Sequence, residues 1–278
     1  ESVSPELKGW NTEGAELKLP PADAAPGVYY VTVSKNGIVS NQVPFAVDTL
    51  PEALEKEPNN NPNEAQKVSL PLIVNGRIDQ PGDFDVFCIE AKAGQTLVAE
   101  VTARRLGSPL DSVLRITDAS GKALALNDDY EDPGMGQLTY HADSYIMIPL
   151  PADGQYYVYL GDTTRKGGAE YAYRLRLSEP RPDFALRAVP SAVAVRGEST
   201  GAIRVYAIRK DGFAGDIQVS LKEPPEGFAN APVVLRGNQE MVQLGIKTTL
   251  KDSGGAVALR VEGRAKVGDQ EIVHEAVP

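Results

Sequence analysis

The sequence has one cysteine, Cys88, and two histidines, and only 6% of its residues are aromatic. A single cysteine excludes a disulfide within the chain and a zinc site built from cysteines. No apolar run approaches the ~18 residues that a transmembrane helix requires, so no membrane span is expected. The 28 basic residues are outnumbered by 38 acidic ones, and the formal net charge is -10. This balance argues against nucleic-acid binding and against attraction to an anionic membrane surface.

The chain has 278 residues, of which 26 are glycine and 21 are proline. A single hydrophobic core rarely grows past ~250 residues, so two or three domains are expected. The frequent glycines and prolines divide the chain into short segments, as many turns require. Long helical periodicity is missing, whereas short runs alternate between apolar and polar residues. This pattern predicts an all-β fold of tandem antiparallel β-sandwiches.

The alternation is clearest between residues 67 and 180. In the run 171–177, two tyrosines and two leucines occupy one predicted face of a strand, and two arginines occupy the other. Such a run predicts a half-buried strand with a solvated outer face. Further strands are predicted at 97–103, 113–117, 124–126, 145–148 and 156–160. The predicted domains are 1–50, the C-terminal part of a β domain; 51–66, a linker; 67–180, a β-sandwich; and 181–278, a second β-sandwich.

The first 50 residues contain two predicted strands, 28–33 and 38–47, joined by an Asn36-Gly37 hairpin turn. Two strands alone are marginal in water, so they must pair with residues 17–19 or with sequence outside this chain. Residues 51–56 could form one helical turn. Residues 17–48 resemble the last strands of an immunoglobulin-like TIG/IPT domain. Residues 181–278, with the Pro-Pro-Glu-Gly turn at 224–227, resemble Ig-like domains of bacterial surface proteins.

Six segments between residues 55 and 177 form a recognisable set. They are Glu-Pro-Asn-Asn at 57–60, Val-Asn-Gly-Arg-Ile-Asp at 74–79, Gly-Asp-Phe-Asp-Val-Phe at 82–87, Ala-Lys-Ala-Gly-Gln-Thr-Leu at 91–97, Asp-Ala-Ser-Gly-Lys at 118–122 and Pro-Ala-Asp-Gly-Gln-Tyr-Tyr-Val at 151–158. Together they resemble the bacterial pre-peptidase C-terminal (PPC) domain family, which is similar to the collagen-binding domains of clostridial collagenases. The resemblance implies a jelly-roll-like sandwich that is non-catalytic and accompanies secreted proteins. It also implies that calcium binds at the N-terminal linker, as in several members.

The first candidate metal site lies in this linker and just after it. Glu55, Glu57 and Asn59 alternate along an extended segment, so their side chains point the same way. Asp83 and Asp85 follow at the start of an aromatic strand. Calcium takes about six to eight oxygen ligands, mainly from carboxylates, amides and carbonyls, and this set offers that chemistry.

The resemblance implies that Glu55, Glu57, Asn59 and Asp85 are the ligands. Gly82 occupies the position three residues before Asp85 where the family pattern has an aspartate. A neighbouring carboxylate, at Asp79 or Asp83, would have to compensate. The alternative interpretation is a solvated acidic linker followed by a Gly-Asp turn.

The second candidate metal site consists of Asp111, Asn127, Asp128, Asp129 and Asp143, each at a predicted strand end or in a loop. Clustered carboxylates repel one another, so such a set invites a cation or a lysine. The alternative, which we favour, is that the Asn-Asp-Asp triplet caps a turn through local hydrogen bonds.

No catalytic set is found. Cys88 is interpreted as a small buried side chain on a strand. His141 and His274 fall in different predicted domains, and a serine-protease arrangement is missing because no Gly-x-Ser-x-Gly turn occurs. Two carboxylates that meet in space could still hydrolyse a glycoside, so a hydrolase stays a minor alternative.

The function predicted from the sequence is a non-catalytic accessory, adhesion or spacer segment of an exported bacterial multidomain protein, with calcium as a possible cofactor. The alternative is a specific binding module for a fibrous protein or a polysaccharide. Expected partners are an extracellular protein, a polysaccharide or other domains of the parent protein. No signal peptide is visible, so the chain is expected to begin after processing or to be cut from a longer protein. The expected location is secreted, periplasmic or at the cell surface.

Overall fold

The computed structural model describes residues 7, 9–130, 141–195, 197–237 and 239–278. Within these ranges the chain forms strands, one short 3-10 helix, η1 (Arg104–Leu106), and no α-helix. The described residues include no helix with the length and apolar character needed to cross a membrane. The predicted all-β class is therefore confirmed. The described residues divide into two compact units, which meet in sequence at Glu179 and Pro180.

The first unit begins with a small sheet of four strands: β1 (Glu16–Lys18), β2 (Gly27–Lys35), β3 (Ile38–Val39) and β4 (Val43–Val47). The long strand β2 pairs antiparallel with the other three. Asn36 and Gly37 both have positive φ, 51° and 78°, as the predicted hairpin turn requires. The predicted pairing of residues 17–19 is confirmed in β1, and within this sheet only Val31 is buried.

The same unit contains a sandwich of two five-stranded sheets. The strands of the first sheet are β5 (Glu52–Leu54), β7 (Leu72–Arg77), β9 (Thr96–Thr102), β12 (Tyr145–Pro149) and β14 (Ala172–Ser178). They lie in the order β12-β9-β14-β7-β5. The helical turn predicted for residues 51–56 is wrong, because residues 52–54 pair in parallel with β7.

The strands of the second sheet are β6 (Gln66–Lys67), β8 (Phe84–Ala91), β10 (Ser112–Asp118), β11 (Ala123–Asn127) and β13 (Gly154–Asp162). They lie in the order β11-β10-β13-β8-β6. In β13, Tyr156 packs into the core between the sheets, whereas Tyr157 and Tyr159 lie on the opposite face. In β14, Tyr173 and the following leucines face the core, which confirms the predicted alternation.

The predicted linker crosses one end of this sandwich. Its beginning, β5, belongs to the first sheet, and its end, β6, pairs in parallel with β8 of the second sheet. Residues 55–65 therefore pass from one sheet to the other. Linker side chains therefore reach the space between the two sheets. Inward-facing side chains of β8 and β14 reach the same space.

The second unit is a sheet of eight strands that encloses its own core. The strands are β15 (Asp183–Val189), β16 (Thr200–Lys210), β17 (Ile217–Lys222), β18 (Phe228–Ala229), β19 (Val233–Leu235), β20 (Met241–Thr248), β21 (Arg260–Val267) and β22 (Gln270–Val277). Their order is β18-β20-β16-β15-β22-β21-β17-β19, with a parallel pairing between β15 and β22. β21 begins at Arg260, and the preceding Leu259 also packs against this core.

Candidate metal centre

Three carboxylates meet where the linker crosses the end of the sandwich. Oxygen atoms of Glu55, Glu57 and Asp85 all lie within 4.8 Å of one another. The two glutamates belong to the linker, and Asp85 belongs to β8. Asp85 is fully buried because its position in the strand directs it between the sheets, alongside the buried Phe87. The structure thus brings together three residues of the first candidate site.

Asn59, another residue of that candidate site, is fully buried against the same cluster. Its backbone N–H donates to Glu57 Oε2 at 2.9 Å, and its Nδ2 donates to Glu55 Oε1 at 3.2 Å. Its backbone carbonyl accepts from the N–H of Val86 in β8 at 2.9 Å. These contacts fix the linker to β8 and hold the Asn59 side chain beside the carboxylates.

Tyr173, on β14 of the first sheet, also contacts the cluster. Its hydroxyl donates to Asp85 Oδ2 at 2.5 Å. Gly76 lies opposite Tyr173 in the neighbouring strand β7, and a Cβ there would be only 2.4 Å from the tyrosine hydroxyl and 2.7 Å from Glu55 Cβ. The absence of a side chain at Gly76 therefore lets Tyr173 and Glu55 approach each other closely.

Two oxygen atoms of the cluster are buried without a hydrogen-bond partner among the described residues: Asn59 Oδ1 and Asp85 Oδ1. An unpaired buried polar atom is costly, and a bound ion or an ordered water is one explanation for it. Every available donor atom is oxygen, which suits a hard cation such as calcium. Calcium would be held by Glu55, Glu57, Asp85 and the Asn59 amide oxygen. An open groove of about 620 Å³, lined in part by Glu55 and Tyr173, gives access to the region.

The carboxylates perturb one another. Burial, followed by the charges of Glu57 and other nearby acids, raises the pKa of Glu55 from 4.5 to about 7. Burial also raises the pKa of Asp85 from 3.8 to about 8, although the hydrogen bond from Tyr173 opposes this shift. The pKa of Glu57 is raised as well, chiefly by burial. A divalent cation would relieve this repulsion by its charge.

These pKa values predict an unusual pH dependence for the metal-free protein. Each folded pKa lies above the unfolded value, so the stabilisation is fully present below the unfolded pKa and is lost as pH rises through the folded pKa. We expect the free energy of unfolding of the first unit to fall between about pH 4.5 and about pH 8. Urea titrations in chelator across this range measure the slope. A flat or rising profile would contradict the assigned pKa shifts.

Asp83, one of the two carboxylates named as able to compensate for Gly82, lies beside the cluster and is engaged elsewhere. Its Oδ2 accepts from the backbone N–H of Asp79 at 3.0 Å. With its amide oriented to donate, Asn60 reaches Asp83 Oδ1 at 2.7 Å. Both Asp83 oxygens therefore stabilise the 79–83 turn and its contact with the linker, and Asp83 is outside the three-carboxylate cluster.

The carboxylates of the second candidate site form no such cluster among the described residues. Among the described residues, the cluster of Glu55, Glu57 and Asp85 is the only one of three or more potential metal-ligating side chains. The Asp143 carboxylate is fully buried and accepts from the backbone N–H groups of Ala103, Arg104 and Arg105 and from Arg105 Nε. This carboxylate thus anchors η1 to the sandwich.

The other members of that set make local contacts of their own. Asn127 Oδ1 accepts from the Tyr145 N–H, and Asn127 Nδ2 donates to the carbonyl of Asp129, both at 2.8 Å. The side chain of Asp128 is exposed, and the backbone N–H of Asp111 donates to Asp162. The local hydrogen bonds of Asn127 agree with the alternative interpretation of a capped turn.

Sequence reasoning missed Tyr173 and Gly76 as parts of the cluster. The predicted strand face at 171–177 marked Tyr173 as a core residue, but its polar partner lies 88 residues away in sequence. Sequence reasoning also missed Asp162, which is nearly buried and accepts four hydrogen bonds from Asp111, Thr164 and Lys166. A carboxylate at the end of an otherwise apolar strand was the available signal.

The remaining candidates occupy structural positions. Cys88 is 5% exposed on β8, and burial raises the pKa of its thiol, which disfavours the reactive thiolate. His141 lies in the first unit, whereas His274 lies in the second and contacts Asp183 Oδ1 at 2.7 Å. Tyr157 and Tyr159 are half-buried on the outer face of their sheet, and Arg115 stacks 4.2 Å above the Tyr159 ring.

Comparison with known proteins agrees with the position of this sandwich. Residues 83–161 match the family described as the bacterial pre-peptidase C-terminal domain. A probable subtilase-type serine protease of Deinococcus radiodurans is 36% identical to the chain over 137 residues, which cover 46% of this chain and 18% of that protease. The chain thus spans less than a fifth of this relative. No solved structure matches the chain.

Proposed function

We propose that the chain is an accessory segment of an exported bacterial protein, because residues 83–161 match the PPC family, a non-catalytic type of accessory domain. The similarity to part of a subtilase-type protease supports this role and suggests a protease as the parent protein. In this proposal the segment spaces, stabilises or attaches its parent in the periplasm, at the cell surface or outside the cell. The chain itself performs no catalysis.

We further propose that one calcium ion stabilises the segment at the linker crossing. The supporting observation is the pair of buried, unpartnered oxygens, Asn59 Oδ1 and Asp85 Oδ1, beside three carboxylates. Among the described residues this is the one cluster of three carboxylates, so the proposal is for a single ion. The ion would connect the linker to β8 and so join the two sheets at the end where the linker crosses.

Calcium binding to the native state alone raises stability by mass action. We expect the thermal midpoint of the chelator-treated chain to rise on addition of millimolar calcium. The gain is about 2.7 kcal/mol when calcium exceeds its dissociation constant about a hundredfold. The variant Asp85→Asn should lose this response, because it removes a buried ligand charge while keeping an acceptor for Tyr173. Calorimetric titration should give one ion per chain.

Asp128→Asn is the matched control, since Asp128 is an exposed acid of the same domain outside the cluster. It should respond to calcium as the original sequence does. Terbium offers a second readout, because Tyr173 lies close enough to the cluster to sensitise its emission, and Tyr173→Phe should reduce that emission. An equal calcium response in Asp85→Asn and the original chain would refute the site.

A further inference from the structure

The second unit carries a strongly basic sheet face. Residues of β15, β16 and β20 alternate between the core and the outside, and Leu186, Val205 and Leu244 face the core. The intervening positions therefore face outward. They place Arg187 directly opposite Tyr206, Arg204 opposite Gln243, and Lys247 further along β20.

The arginines of this face are not neutralised by the protein. Among the residues that the structure describes, the side chains of Arg187, Arg204 and Lys247 form no ion pair or hydrogen bond. By contrast, the ion pairs of the same unit include Arg236 with Asp216, Arg260 with Glu223 and Arg264 with Glu262. Unpaired cations thus gather on one face of a chain whose formal net charge is -10.

Carboxylates are nearly missing from the outward positions of these three strands. Asp183, at the start of β15, is the one acid among them, and it contacts His274 at 2.7 Å. The cationic outward positions are Arg187, Arg204, Lys210 and Lys247. The face therefore complements a negatively charged partner.

We propose that this face, which we call the arginine face, binds an acidic polysaccharide. It is defined by Arg187, Arg204, Tyr206, Gln243 and Lys247. A guanidinium group matches the two oxygens of a carboxylate or sulfate. Tyr206 lies opposite Arg187 and two residues from Arg204 on β16, and its ring offers a flat surface for a sugar ring. The two arginines are diagonal neighbours on adjacent strands, about 7–8 Å apart, so they can engage successive charged groups of one extended chain.

The shape of the face favours a sugar chain over a protein partner. A shallow cavity of about 340 Å³ adjoins Arg204 and Gln243, with Val189 and Pro190 on its wall. Met241, which lies opposite Tyr206, is the exposed large apolar side chain beside it. A specific protein interface usually needs a well-packed apolar centre, which this surface does not provide. Attraction at exposed charges is weak and screened by salt, so binding is expected to be modest and salt-dependent.

The test is retention of the full chain on immobilised polygalacturonate, with dextran as a neutral polymer and poly-glutamate as an acidic polypeptide. All assays contain chelator, so that calcium neither bridges the polymer nor fills the linker site. The double variant Arg187→Gln/Arg204→Gln should bind polygalacturonate about tenfold more weakly. The control variant Arg236→Gln/Arg260→Gln makes the same charge change at two paired arginines and should bind within about twofold of the original.

Tyr206→Ala should weaken binding even at about 0.5 M NaCl, where screening suppresses the ionic contribution and stacking persists. Unaltered thermal midpoints show that the variants are folded. Equal losses of binding in the two double variants would show that net charge alone determines retention, and would overturn the proposal. Failure to retain the original chain would also overturn it, and stronger retention on poly-glutamate would replace it with an acidic protein partner. None of these outcomes depends on the calcium site.

Discussion

Replacement of Asp143 by alanine is expected to destabilise the first unit by about 3–5 kcal/mol. Asp143 Oδ1 accepts from Ala103 N–H at 3.0 Å and Arg104 N–H at 2.7 Å, and Oδ2 accepts from Arg105 Nε at 2.7 Å. The change leaves these donors without their acceptor and leaves Arg105 with Glu100, 3.0 Å away, as its remaining ion-pair partner among the described residues. Urea unfolding of the original chain and the variant measures the difference.

The matched control is Asp128→Ala, which removes an exposed carboxylate from the same predicted metal-binding set. It should change stability by no more than about 0.5 kcal/mol. Asp143→Ala should also keep its calcium response, because Asp143 is outside the carboxylate cluster. A small loss of stability together with a lost calcium response would mean that Asp143 is a ligand, as the second candidate site supposed.

Gly76→Ala is expected to destabilise the first unit by about 1–3 kcal/mol and to weaken calcium binding strongly. The added Cβ would lie 2.4 Å from the Tyr173 hydroxyl and 2.7 Å from Glu55 Cβ, so at least one of these side chains must move. Either movement separates groups of the cluster, since Tyr173 holds Asp85 and Glu55 is a proposed ligand. Thermal midpoints with calcium and with chelator give both quantities.

Gly245→Ala provides the comparison for this change. Gly245 also lies within a strand, β20, but the nearest atom to an added Cβ is Thr200 Cγ2 at 3.6 Å, an ordinary contact. Alanine there should be neutral or slightly stabilising, because glycine loses more conformational entropy on folding. If Gly76→Ala resembled Gly245→Ala in both stability and calcium response, the close packing around Gly76 would not be required for the site.

Local patterns in the sequence were sufficient to predict most strands of the middle sandwich. The predicted run 97–103 corresponds to β9 (Thr96–Thr102), and 113–117 lies within β10 (Ser112–Asp118). Alternation succeeds here because it reports which side of each strand is buried, a property of adjacent residues. The same logic could not identify β5, because a strand of three residues is too short to show alternation. Its pairing with β7 decides its structure.

The candidate site was predictable only in part, for a related reason. Glu55, Glu57 and Asn59 are near neighbours along an extended segment, so their convergence can be expected from their spacing. The contact between Tyr173 and Asp85 joins strands of opposite sheets, and the contacts of Asp143 with the η1 segment span about 40 residues. Such distant partners are set by topology and register. The sequence around an acidic residue therefore does not show whether its side chain faces a cation, a guanidinium group or water.

The attachment of the linker to both sheets has a mechanical consequence. Tension applied to the chain before residue 48 reaches the middle sandwich through β5, which its parallel hydrogen bonds hold against β7. Glu52 adds a two-pronged ion pair to Arg174 of β14, at 2.8 and 3.1 Å. A pulling force would load these edge contacts first, then the crossing at Asn59, and only afterwards the core. Bound calcium would tie the linker to β8 at this crossing. The sandwich would therefore unfold at a higher pulling force when the ion is present.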